Sequence, residues 1–234
     1  MQNEQDQDLN QDFQVVFSRN AMEFATVARE FCVFAENVAQ YSKADYLKVA
    51  SRLLPLLYVK VSILPDAKPV LDEDGLEEVV DEQTYESVRI AIRAKLSAHD
   101  DYLEVFKEDF KYSETPITAS ISEDMADIYQ DLRNFCEQYQ SGVDEIMNDA
   151  LANVSEKFRS YWGQRLCNAL RAIHSALFSG DDLKDEKPIP TDENTEVDLG
   201  AFLDDNDEPD GNPADGMPYF LRQNGMRLTG GSKR

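Results

Sequence analysis

Phe17, Ala21, Phe24, Ala28, Phe31, Ala35 and Val38 recur in steps of four and three through residues 13–41. That period puts all seven on one side of an α-helix. Large and small side chains alternate along the stripe, so a neighbouring helix can approach at the alanines while the phenylalanines interlock above and below them. Such a face has to be covered, by other helices of the same chain or by a second copy in a homodimer.

The sequence supplies candidates for the covering helices. Ser42 and Asp45 form a capping box for a second helix, with Leu47, Ala50, Leu54, Leu57, Val61 and Leu64 on its inner side. Pro55 lies within it and is expected to bend it. After a Pro- and Asp-rich loop, a third helix is expected over about residues 76–98, where Tyr85, Val88, Ile92 and Leu96 keep the period. Residues 99–119 carry five aromatic or leucine side chains without a sustained period, the mark of an irregular connector pinned to the body. Ser120 and Glu123 open a fourth helix along Met125, Ile128, Leu132, Phe135 and Tyr139. After Gly142 the period resumes from Val143 to Leu177. At 1.5 Å per residue that run would be about 54 Å long, so a kink is expected near residues 152–156. No stretch alternates as a strand does.

The composition limits what the chain can partner. A net charge of −23 disfavours nucleic acid and anionic membranes as main ligands and makes a basic protein the natural partner. Residues 181–215 hold 14 acidic and two basic side chains and read as a disordered linker, whereas residues 216–234 hold four basic side chains and no acid. Residues 13–180 still carry 28 acids against 17 bases. Cys32, Cys136 and Cys167 sit at neither disulfide-framework nor zinc-ligand spacing and read as reduced core thiols of a cytoplasmic protein. The leader, residues 1–11, is polar and acidic, unlike a signal peptide, and the most apolar stretch, "LLPLLYVKVSIL", is too short to span a bilayer.

"SISEDMADIYQDLRNF" (120–135), "IMNDAL" (146–151) and "YWGQRLCNALRAIHSALF" (161–178) resemble the characteristic stretches of an uncharacterised all-helical bacterial family, a domain of unknown function. The resemblance covers roughly residues 13–178. It implies a helical fold and supplies no activity.

Phe158, Trp162, Leu166, Ala169, Leu170, Ile173 and Leu177 fall within one arc of about 120°, which makes Trp162, Leu166 and Ile173 core residues alongside Phe17, Phe24 and Phe31. Cys167 and His174 lie about 10 Å apart along the axis, too far to share a metal or to act as nucleophile and base. His174 then reads as a boundary residue, and mid-helix Gly163 as a point of close helix contact. Arg165 lies at the edge of the apolar arc and is expected to pair with an aspartate of the fourth helix; Arg171 points away from it, towards solvent or a partner. Asp124, Asp127 and Asp131 share one side of the fourth helix, and Glu77, Glu78, Asp81 and Glu82 open the third. Two such faces could hold Mg²⁺ for phosphoryl chemistry. Helix dipoles explain most of the same acids without function, and no phosphate-cradling loop accompanies them.

The sequence thus specifies an all-α bundle of about five helices over residues 13–178. It adds an acidic linker over 179–215 and a basic, aromatic terminal motif over 216–234, where Tyr219, Phe220, Leu221, Arg222 and Arg227 are the candidate contacts, either to the chain's own acidic body or to a separate partner. The leading functional expectation is a non-enzymatic cytosolic interaction protein needing no cofactor. The alternative is a metal-dependent phosphohydrolase built on Asp124, Asp127 and Asp131. Mimicry of nucleic acid by clustered carboxylates ranks third.

Overall fold

Four helices begin where a side chain takes up an orphan backbone N–H: Ser18, Ser42, Asp81 and Ser120 each accept from the residue three positions on. The computed structural model describes residues 15–72, 75–103 and 118–184. In chain order they form α1 (Arg19–Glu36), α2 (Lys43–Ser62), α3 (Glu82–Leu96), β1 (Asp101–Leu103), β2 (Thr118–Ser120), α4 (Ile121–Gln140), α5 (Asp144–Lys157) and α6 (Gly163–Phe178). A wide π turn, Phe158–Trp162, joins α5 to α6 without a break, so the bundle has five helical rods among the described residues. β1 and β2 pair antiparallel, with Tyr102 opposite Ala119. The expected leader over residues 1–11, the terminal motif over 216–234 and most of the linker and connector lie outside the described residues.

α4 is the central rod, packed against α1, α3, α5 and α6, while α2 closes the bundle against α1 and α6. The Phe/Ala stripe of α1 is covered within the chain: Ala21, Phe24, Ala28, Phe31, Ala35 and Val38 are buried, and the Phe24 ring lies 5.0 Å from Phe135 of α4. Phe17 departs from that pattern and is 56% exposed. It precedes the Ser18 cap, so it lies off the helix and its expected place in the stripe is lost.

Three further expectations are corrected. α3 starts at Glu82 and not near residue 76, because Asp81 caps it and residues 75–81 run alongside α4 instead. The connector contains a β-ladder where none was expected, a pairing of three residues being too short to show alternation. The long C-terminal run is interrupted at Phe158–Trp162, not at 152–156, and Gly163 closes the wide turn by donating its N–H to the Phe158 carbonyl. A Cβ on Gly163 would sit 2.4 Å from that carbonyl oxygen, so a close approach within its own helix, not to a neighbouring one, explains the glycine. Trp162, with none of its surface exposed, packs on Phe158 and donates its indole N–H to the Val154 carbonyl across the turn.

Candidate functional site

Asp124, Asp127 and Asp131 project from one side of α4 into the bundle, each at least nine-tenths buried. Asp124 accepts from the Tyr102 hydroxyl at 2.5 Å and from Arg165 at 3.3 Å. Asp127 accepts from the Tyr85 and Tyr161 hydroxyls at 2.8 and 2.7 Å and takes the other edge of the Arg165 guanidinium at 3.3 Å. Asp131 pairs with Lys157 at 2.9 Å. Three tyrosines, from α3, β1 and the π turn, thus meet the carboxylates of a fourth element, and Arg165 bridges two of them.

One guanidinium serving two buried carboxylates leaves a surplus of negative charge. Burial pushes the Asp124 carboxyl up to about 7, against the pull of Tyr102 and Arg165, and burial likewise raises Asp131 despite Lys157. Tyr161 is pushed up to about 12 by burial and by the Asp127 carboxylate it donates to, so it stays a hydrogen-bond donor. The layer is largely satisfied from within, one Asp131 oxygen excepted. Its paired oxygens face cations and hydroxyls. Among the described residues no group of three or more His, Cys, Asp or Glu side chains converges to hold a metal ion.

Beside this layer, polar side chains latch the loop between α2 and α3. Asp149 of α5 accepts from the backbone N–H groups of Val70 and Leu71, both at 2.8 Å, and Asn148 donates to the Lys68 carbonyl. Asn134 of α4 accepts from Val79 and Val80, and Gln138 donates to the Glu77 carbonyl. These four buried polar residues satisfy backbone groups that would otherwise cost about 1–3 kcal/mol each if buried unpaired. The Asn134 amide N–H₂ and one oxygen of Asp131 have no partner among the described residues.

A cleft of about 620 Å³ opens where the C-terminal half of α6 runs past β1. Both histidines of the chain, His99 and His174, line it together with Tyr102, Leu103, Arg171 and Asp181. Arg171 holds β1 to α6: it donates to the Leu103 carbonyl at 2.9 Å, and its guanidinium lies over the Tyr102 ring at 5.8 Å. Leu103 is 59% exposed, and Phe178, whose ring rests on His174, is 74% exposed. Tyr102 connects cleft and layer, with its ring under Arg171 and its hydroxyl on Asp124.

Residues 15–179 match the sequence profile of DUF5063, a domain of unknown function. The chain belongs to that family. It is similar to protein BF1032 from Bacteroides fragilis, known from a crystal structure: 41% identity, a TM-score of 0.64, and a match covering 71% of this chain and 98% of that one. No curated protein matches. DUF5063 membership agrees with the resemblance read from residues 120–135, 146–151 and 161–178 and carries no activity with it.

Of the residues singled out in this DUF5063 chain, Phe24, Phe31, Trp162, Leu166 and Ile173 are buried. The expected pairing of Arg165 with an α4 aspartate is present, with Asp124 and Asp127 both engaged. Arg171, expected to point away from the body, is partly turned back onto β1. Cys32 and Cys136 are buried, whereas Cys167 is exposed, because the stripe it shares with His174 runs along an uncovered edge of α6. Tyr219, Phe220, Leu221, Arg222 and Arg227 lie outside the described residues. Sequence reading missed the tyrosine partners, the Lys157 pair and the latch residues. Interior-facing Asn134 and Gln138, four apart on α4, were the available signal for the latch.

Proposed function

We propose that this DUF5063 chain is a non-enzymatic, cytosolic interaction module and that the cleft between β1 and α6 receives a protein partner. One observation carries the reading: the buried carboxylates are engaged by Arg165, Lys157 and tyrosines, while ionisable and large apolar side chains stand open together at the cleft. Exposed Leu103 and Phe178 beside a hollow lined by both alanines and charged side chains suit a protein surface that offers apolar and polar contacts together. The charge of −23 favours a basic partner over nucleic acid or an anionic bilayer. No helix among the described residues is long and apolar enough to cross a membrane. The terminal motif with Tyr219, Phe220, Leu221, Arg222 and Arg227 is proposed as a second contact.

A photo-reactive amino acid placed at Phe178 or Leu103 in the full chain tests the surface. Both positions should yield the same adduct of defined mass in cells, Glu82 should yield none, and deleting residues 217–234 should weaken the capture. Equal labelling from all three positions would remove the cleft from consideration. Nucleoside triphosphates with Mg²⁺ test the enzymatic alternative: hydrolysis that disappears in Asp127→Asn would replace this reading with a phosphohydrolase.

A further inference from the structure

Resting on the cleft as the interaction surface, we infer that it binds a short basic peptide segment of a separate partner protein, in which an arginine or lysine neighbours an aromatic or branched aliphatic side chain. The hollow, about 620 Å³, falls in the range of sites that hold small ligands, about 300–1,000 Å³. Its wall includes Ala98, Ala172 and Ala176, side chains small enough to admit a bulky group between Tyr102 and His174. Leu103 and Phe178 extend the apolar surface outward.

Charge sets the sign of the occupant. Asp101 and Asp181 line the cleft, and the last turn of α6 carries no basic residue, so the partial negative charge of its terminal carbonyls meets no cation of its own helix. Arg171 already spends its guanidinium on the Leu103 carbonyl and the Tyr102 ring, and Lys184 is bonded to Asp182. An acidic segment would meet two carboxylates and a helix C-terminus, with Arg171, already engaged, as the one Lys or Arg among the described residues that line the cleft. A basic one would be drawn in by the field of a chain of charge −23 and would find carboxylates beside an exposed aromatic ring.

The test uses the full chain and three labelled nonapeptides: one with two arginines flanking Phe-Leu, one with glutamates replacing the arginines, and one with serines replacing Phe-Leu. The first should bind in a salt-sensitive way, and both controls at least about fivefold more weakly. Asp181→Lys should weaken the first peptide about fivefold, whereas Glu82→Lys, at the far end of α3 and about 20 Å from the cleft, should leave it within about twofold. Both residues are exposed, so unchanged melting of the two variants verifies that the fold is intact. Equal binding of the acidic peptide, or equal loss in the two variants, overturns the inference. Mass spectrometry of the segment cross-linked at Phe178 separates this failure from failure of the surface itself. A captured segment without basic residues refutes the chemistry and leaves the surface standing, and absence of any capture refutes both. A cross-link to the chain's own residues 217–234, or to a second copy, refutes a separate partner.

Discussion

Arg165 and Arg171 lie less than two turns apart on α6 and have opposite surroundings. Arg165 reaches inward and is held between Asp124 and Asp127, with Tyr161 under its guanidinium. Arg171 lies along the surface, tied to one backbone carbonyl and one ring at the edge of the cleft. The same side chain therefore does two jobs on one helix. In the interior it neutralises groups that cannot reach water, and at the edge it positions a strand beside an open hollow. Buried charge in this protein marks internal accounting; accessible chemistry lies where side chains are less completely satisfied.

Removing each arginine should break the comparison most directly. Arg165→Ala leaves two buried carboxylates without their shared cation and should cost about 3 kcal/mol, read as a lowered urea midpoint at unchanged slope. Gly163→Ala forces a Cβ into the Phe158 carbonyl and should cost about 1–3 kcal/mol, with a matching fall in Tm. The layer should also show itself in pH dependence. Because burial raises Asp124 from its ordinary value to about 7 in the folded chain, the folded state holds that proton more tightly than the unfolded one. Its contribution to stability is complete below about pH 4 and is lost as pH climbs to 7. Asp124→Asn cannot titrate, so urea titrations at pH 5 and pH 8 should show the variant gaining on the parent as pH rises; a constant gap would remove Asp124 as the titrating group. The smallest effect belongs to Arg171→Ala, expected below about 1 kcal/mol because its contacts are solvent-exposed, with faster amide exchange confined to residues 101–103.

Much of the bundle was legible because helices advertise themselves locally. The caps at Ser42 and Ser120 lie three residues before Asp45 and Glu123, and the α1 stripe repeats often enough to fix its inner face. The angle of Arg165 on the helical wheel points it at the aspartates, since an edge position on a packed helix leaves few other partners. What could not be read was anything assembled from distant segments. Tyr85, Tyr102 and Tyr161 converge on α4 from three elements, and no period links them. The cleft escaped notice for the same reason: its two histidines are 75 positions apart and meet only because β1 runs beside α6. Phe17 failed in the opposite way, because a local pattern continued one residue past the cap that ends it.

The wide turn at Phe158–Trp162 acts as a phase adjuster. Accommodating one additional residue there rotates everything downstream by about 100° relative to an uninterrupted α-helix. α5 can therefore aim Asn148 and Asp149 at the loop beside it while α6, on the same rod, turns Arg165 to the aspartates and Arg171 to the hollow. Forcing that turn into regular α-helix at unchanged chain length would leave every downstream side chain chemically unchanged yet swing both arginines off their targets together, uncoupling interior and surface in one step.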